Sequence, residues 1–196
     1  EPFVFNLASL DSNISLRSFH HVKLAMEWAL ELDNPVYSFH AGFLLDPKVD
    51  ELGKRINNRK LYDRELSTKI FIEQLNKLSD IARVLGVALL VENNVLSANN
   101  YKEFSENPFL MATADECAYV MGQTPDNINL LIDLAHLKVS SQSLGLDSKV
   151  FLEVCKPWIN GYHMSDNDGK SDSNSPVKED SWFWPYIKKD LTYYTL

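Results

Sequence analysis

The chain has 196 residues, 45% of them hydrophobic, enough to bury a core and consistent with one domain. It carries 27 acidic against 19 basic residues, a net charge of -8, and no basic run is longer than the pair Lys188–Lys189. That balance argues against a broad surface for a nucleic-acid backbone.

Apolar runs and helical patterns then alternate. Residues 2–8 (PFVFNLA) read as a first strand, with Asp11, Ser12 and Asn13 turning the chain after it. Residues 18–32 place Val22, Met26, Ala29 and Leu30 at helical spacing and stop against Asp33, Asn34 and Pro35. A strand over 36–40 follows, then a helix over 63–84 carrying Leu66, Ile70, Leu75, Leu78 and Ile81, and a strand within 86–93 (GVALLVEN). The second half repeats the unit: a helix over 112–123 with Thr113 as its cap, a strand over 127–133, a helix over 148–159, and strands over 159–166 and 191–196. The polar stretch 170–180 reads as a solvated loop, and Trp182 to Tyr186 as the start of a helix packed before the last strand. Six strands joined by five crossovers, with helices between apolar strands, imply a parallel α/β sheet. A complete eight-fold (β/α) barrel usually needs about 250 residues, so a barrel here is incomplete, with its first and last units missing.

Cys117 and Cys155 show no pairing signature, read as buried small hydrophobes and suit a reduced compartment. No apolar stretch has the length of a membrane span, and the N-terminus lacks the positive flank of a signal peptide. A cytoplasmic protein without membrane contact is expected.

Four short apolar runs end in groups that suit a divalent metal: His40 in YSFHAG, Glu92 in LLVENN, Asp133 with His136 in LLIDLAH, and His163 in GYHMSDNDG. Singly, each has a plainer role available. His40 or His163 can bond a backbone carbonyl, and Asp133 can cap a helix against which His136 packs. Glu92 is harder to dismiss, because a carboxylate leaving a buried strand needs a metal, a cation or several donors. The four together, at strand ends, make a metal site the better account. Mixed oxygen and nitrogen donors without thiolate suit Zn²⁺, Mn²⁺, Co²⁺ or Fe²⁺ and do not choose among them.

The segments HAGFLLDP, VENN, LIDLAHLKVS and YHMSDNDGKSD, in this order and spacing, resemble the xylose isomerase-like TIM barrel superfamily, which holds sugar isomerases and epimerases and the apurinic-site endonucleases. The resemblance runs from about the second barrel strand to the seventh. It implies that Glu92, Asp133 and His163 are three ligands of a central metal, and that a fourth, a glutamate, would stand at position 197. It further implies a histidine just before Glu1 in members holding several metals, with His40 as their adjacent outer histidine. His136 and Asp172 would belong to a further zinc site in the endonucleases, but the histidine that completes it is here Asn174.

The resemblance therefore implies a divalent-metal-dependent isomerase or epimerase that moves a proton on a small sugar or polyol through an enediolate. Glu92 and the seventh-strand glutamate would exchange the proton, His136 or His40 would orient a hydroxyl, and Asp166 would also contact the substrate. With one carboxylate outside the sequence, weak metal binding and little turnover are expected. Phe43 and Trp158 are candidate pocket walls, and the absence of a compact Arg/Lys cluster leans towards an unphosphorylated substrate. The alternatives are a multi-zinc apurinic-site endonuclease-like phosphodiesterase, which the acidic balance disfavours, and a degenerate non-catalytic barrel. A homo-oligomer covering the open sheet edges is a further expectation.

Overall fold

The computed structural model describes residues 2–191 and 193–195. Five parallel strands lie in sequence order across one curled sheet: β1 (Val36–His40), β2 (Ala88–Glu92), β3 (Ile128–Asp133), β4 (Ile159–His163) and β5 (Tyr193–Thr195). Six α-helices accompany them: α1 (Ser12–Glu31), α2 (Arg64–Leu85), α3 (Ala98–Phe104), α4 (Ala114–Gly122), α5 (Leu134–Leu144) and α6 (Ser148–Cys155). The result is a half-barrel, an incomplete version of the eight-stranded form. Among the described residues no helix is long and apolar enough to cross a membrane.

Helix starts follow local chemistry. Asp11 accepts from the N–H groups of Asn13 and Ile14, so α1 begins six residues before the predicted start at 18. Asp63 caps α2 through Leu66 N–H, and Gly86 ends it with φ of 71°, a conformation glycine adopts without Cβ strain. Thr113 caps α4 as expected.

Residues 2–8 form no strand, so the described sheet has five strands where six were predicted. Side chains replace the ladder there. Asn6 N–H donates to Ser18 Oγ at 2.8 Å, and Asn6 Oδ1 accepts from Ala8 N–H at 3.1 Å and Phe43 N–H at 3.0 Å. The segment is pinned beside the end of β1 without pairing with it. The strand expected over 191–196 is β5; Thr192 and Leu196, like Glu1, lie outside the described residues. Trp182 to Tyr186 make turns instead of the predicted helix. Pro185 has no N–H to continue one, and Phe183 is fully buried in the core.

The sheet has two differently used faces. Phe39, Leu89, Val91, Leu130, Ile132 and Tyr162 pack outward into the core with Met26, Phe71, Leu75 and Leu78 of α1 and α2. The alternate residues Leu90, Leu131 and Gly161 face the barrel interior, where a Cβ on Gly161 would sit 3.2 Å from Leu90 Cδ1. By the same alternation, residues 40, 92, 133 and 163 stand at the mouth of that interior.

Candidate metal centre

Register decides who meets whom. His40 pairs with Glu92 across β1 and β2, and Asp133 pairs with His163 across β3 and β4. Partners in a parallel pair share a face, so all four side chains project to one side at the carboxyl ends of their strands. A register shift at Leu130/Leu131 is essential to this: Leu130 pairs with Ile159 but Leu131 pairs with Gly161, skipping Asn160. Without that bulge Asp133 would face Tyr162, and His163 would point to the other side of the sheet.

Two triads result, each with its ligand atoms within 4.8 Å of one another: Glu92, Asp133 and His163, and His40, Glu92 and His136. Glu92 is common to both. Its Oε1 lies 3.2 Å from His163 Nδ1, 3.5 Å from His136 Nδ1 and 4.0 Å from His40 Nδ1. Asp133 Oδ2 lies 3.7 Å from His163 Nδ1 and 3.8 Å from His136 Nε2. Asp172 Oδ2 comes within 3.2 Å of His136 Nε2 from the other side.

Two buried carboxylates, Glu92 and Asp133, need positive charge beside them. His163 and His136 supply it. Hydrogen bonds donated to the Asp133 and Glu92 carboxylates hold the His163 imidazolium up to about 10. Burial works against charge on His136, yet Asp172, Asp133 and Glu92 together lift it to about 9. Burial likewise opposes charge on Asp133, but His163 and His136 keep its carboxyl below the usual range, while burial lowers His40. A divalent cation fits this donor set, because it would replace those protons with charge at the point where the carboxylates converge. Both cysteines are buried in the apolar core and contribute no thiolate.

The two sequence readings of Asp133 are compatible. Its Oδ1 caps α5 by accepting from His136 N–H at 2.8 Å, which leaves Oδ2 for the site. Asn93 and Asn94, next to Glu92, are positioning residues that the sequence reading passed over. Asn93 Oδ1 accepts from Asp133 N–H at 2.8 Å, its Nδ2 donates to Asp133 O at 3.2 Å, and its own carbonyl lies 3.2 Å from His136 Nδ1. Asn94 Nδ2 faces the carbonyls of Ala41, Gly42 and Leu110. Amides directly after a strand-end carboxylate were the available signal.

Asp166 is engaged elsewhere. Its carboxylate accepts from Lys138 Nζ at 2.6 Å and Ser181 Oγ at 3.1 Å, pinning the 166–181 segment. Asn174 Oδ1 accepts from Ser165 Oγ at 3.2 Å. Beside the triads lies a cavity of ≈ 550 Å³ with His40, His136, Asp172 and Phe43 on its wall; Trp158 packs against the core instead.

The family model described as xylose isomerase-like TIM barrel matches residues 1–192. Solved structures share the fold at low identity. A putative xylose isomerase from Rhodospirillum rubrum is 18% identical with a TM-score of 0.71, covering 99% of this chain and 64% of its own. The TTHB071 protein from Thermus thermophilus, soaked with ZnCl2, is 21% identical with a TM-score of 0.67, covering 98% and 68%. A D-tagatose 3-epimerase-like protein is 18% identical with a TM-score of 0.65, covering 88% and 57%. The chain thus spans 57% to 68% of the length of these three. No curated protein matches it. With the half-barrel, its strand-end carboxylates and histidines and the match over residues 1–192 all in agreement, the chain belongs to the xylose isomerase-like TIM barrel family.

Proposed function

We propose that this chain is the metal-binding part of a divalent-metal-dependent sugar isomerase or epimerase, which moves a proton on a carbon beside a carbonyl of a small sugar or polyol. The observation that carries the reading is the buried Glu92 carboxylate shared by three imidazoles, two of which, His40 and His136, line the adjacent cavity. Glu92, Asp133 and His163 would hold the ion, as Zn²⁺, Mn²⁺ or Co²⁺. When bound, the ion supplies Lewis acidity, lowering the cost of charge on two adjacent substrate oxygens.

The chain's own groups do the rest. Glu92, 5% exposed, takes the proton from the substrate carbon, shielded from bulk water that would exchange it; in an isomerisation the proton goes to the neighbouring carbon, and in an epimerisation a second acid on the opposite face supplies one to the first carbon. Asn93 O holds His136 through Nδ1, so Nε2 is the nitrogen turned to Asp172 and the cavity. His136 and His40, both on the cavity wall, orient substrate hydroxyls. Asp166 supports the 166–181 segment from outside that wall.

The second triad, with Asp172 beside His136, favours one other reading: a multi-zinc phosphodiesterase of the apurinic-site endonuclease kind. Elemental analysis of the chain and its Glu92→Ala form separates them. About one ion per chain, lost in the variant, supports the isomerase or epimerase. Two or three zinc ions support the phosphodiesterase, and no metal in either form leaves a non-catalytic barrel.

A further inference from the structure

The cavity beside the triads is also lined by cations. His40, His136 and Asp172 face the candidate ligands, while Lys54, Arg55 and Lys170 line the same cavity of ≈ 550 Å³. Two carboxylates also line it, and both are engaged. Glu51 accepts from Arg59 Nη1 at 3.1 Å and Nη2 at 2.5 Å and from the N–H groups of Lys48 and Asn57. Asp172 faces His136. Arg55 pairs with Glu103 and Lys170 lies within electrostatic reach of Asp168, whereas no ion pair among the described residues engages the ammonium of Lys54.

The segment presenting Lys54 and Arg55 is built into the fold. Buried Asn100 accepts from Ile56 N–H at 2.9 Å and donates to Lys54 O at 3.3 Å, and Lys54 N–H bonds Glu51 O at 3.1 Å. In a chain of net charge -8, a cavity lined by three cations and two engaged carboxylates is a local reversal of sign. A cleft concentrates such a field. Lys54 and Arg55 are adjacent in the sequence, whereas Lys170 is 116 residues from Lys54 and is added to them only by the fold.

Resting on the reading of this cavity as a sugar site, we propose that the substrate is an anionic sugar derivative whose phosphate or carboxylate is held by Lys54 and Lys170 with Arg55 beside them. Ammonium groups on flexible stems bind such anions as point charges. The cavity falls within the range of about 300–1,000 Å³ typical of ligand pockets, room for the sugar and its charged group together.

Calorimetric titration of the Mn²⁺-loaded chain with fructose, fructose 6-phosphate and 5-ketogluconate tests this, repeated on a Lys54→Met/Lys170→Met variant whose Mn²⁺ stoichiometry and circular dichroism match the parent. At least one anionic sugar should bind about tenfold or more tighter than fructose, and the variant should lose that advantage; the two anionic probes distinguish phosphate from carboxylate. Equal binding of all three sugars, or an advantage that survives in the variant, overturns the anion-holding role of the lysines and leaves the sugar reading standing. Binding of none of the three overturns both, and a lysine-dependent affinity for duplex DNA carrying an abasic site would then favour the phosphodiester reading.

Discussion

His163 Nδ1 lies 3.2 Å from Glu92 Oε1 although 71 residues separate them. Three parallel strands ending at one edge bring them together, with β3 between β2 and β4. The site is therefore coupled to the register of the sheet, and changes to backbone-locking residues should register in metal affinity as well as in stability.

Asp133 has a separable cap and ligand role. Asparagine caps a helix about as well as aspartate but is a poor metal donor. In the metal-free chain, Asp133→Ala should unfold more easily than Asp133→Asn by about 1 kcal/mol in urea. Both should lose metal affinity in a chelator competition. Equal stability of the two would remove the cap from the account of α5.

Asn93 ties the end of β2 to the end of β3 through both its amide atoms. Replacing it with alanine leaves Asp133 N–H buried without its acceptor, at a cost of about 1–3 kcal/mol. Because the same residue holds His136 and the backbone of Asp133, metal affinity should fall by roughly 10–100-fold. An affinity equal to the parent's would show that these bonds do not orient the ligands.

Glu51 predicts an acid limb. Hydrogen bonding from Arg59 holds its carboxyl down at about 2, against an ordinary 4.5. With the folded value below the unfolded one, the charged form stabilises the fold above about pH 4.5, and this contribution is lost as the pH falls from there towards 2. Glu51→Gln should therefore weaken the chain at neutral pH and flatten its stability profile in that window, as read from urea midpoints. Parallel profiles for parent and variant would count against it.

Gly42 faces the pinned N-terminal segment. A Cβ there would sit 2.4 Å from Ala8 Cβ, too close for any real contact. Gly42→Ala should destabilise by about 1–3 kcal/mol, and adding Ala8→Gly should restore much of that, a coupling measurable in a double-mutant cycle.

Much of the fold was legible because buried parallel strands are short continuous apolar runs and helices are long periodic ones. VYSFH, ALLVE and INLLID each appear as strands within a residue or two of the reading, and α2 with its terminal Gly86 matches closely. The misses have local causes. Residues 2–8 look like a strand, but Asn6 turns their hydrogen bonding to side chains and to the loop after β1. Trp182 to Tyr186 look helical by their apolar content, while Pro185 and the burial of Phe183 favour turns.

By itself the sequence determined which residues could ligate a metal, since donor type and a position just after an apolar run are local properties. Only the tertiary structure decided which of them meet. The bulge at Asn160 turns His163 to the face of Asp133, the amides of Asn93 and Asn94 lock the strand ends, and the packing of the 48–59 loop against α3 carries Lys54 to the cavity that Lys170 also lines. Side-chain direction in a sheet alternates with every residue, so a one-residue shift in pairing reverses the face a group occupies. Pairing is a long-range choice that no run of adjacent residues encodes.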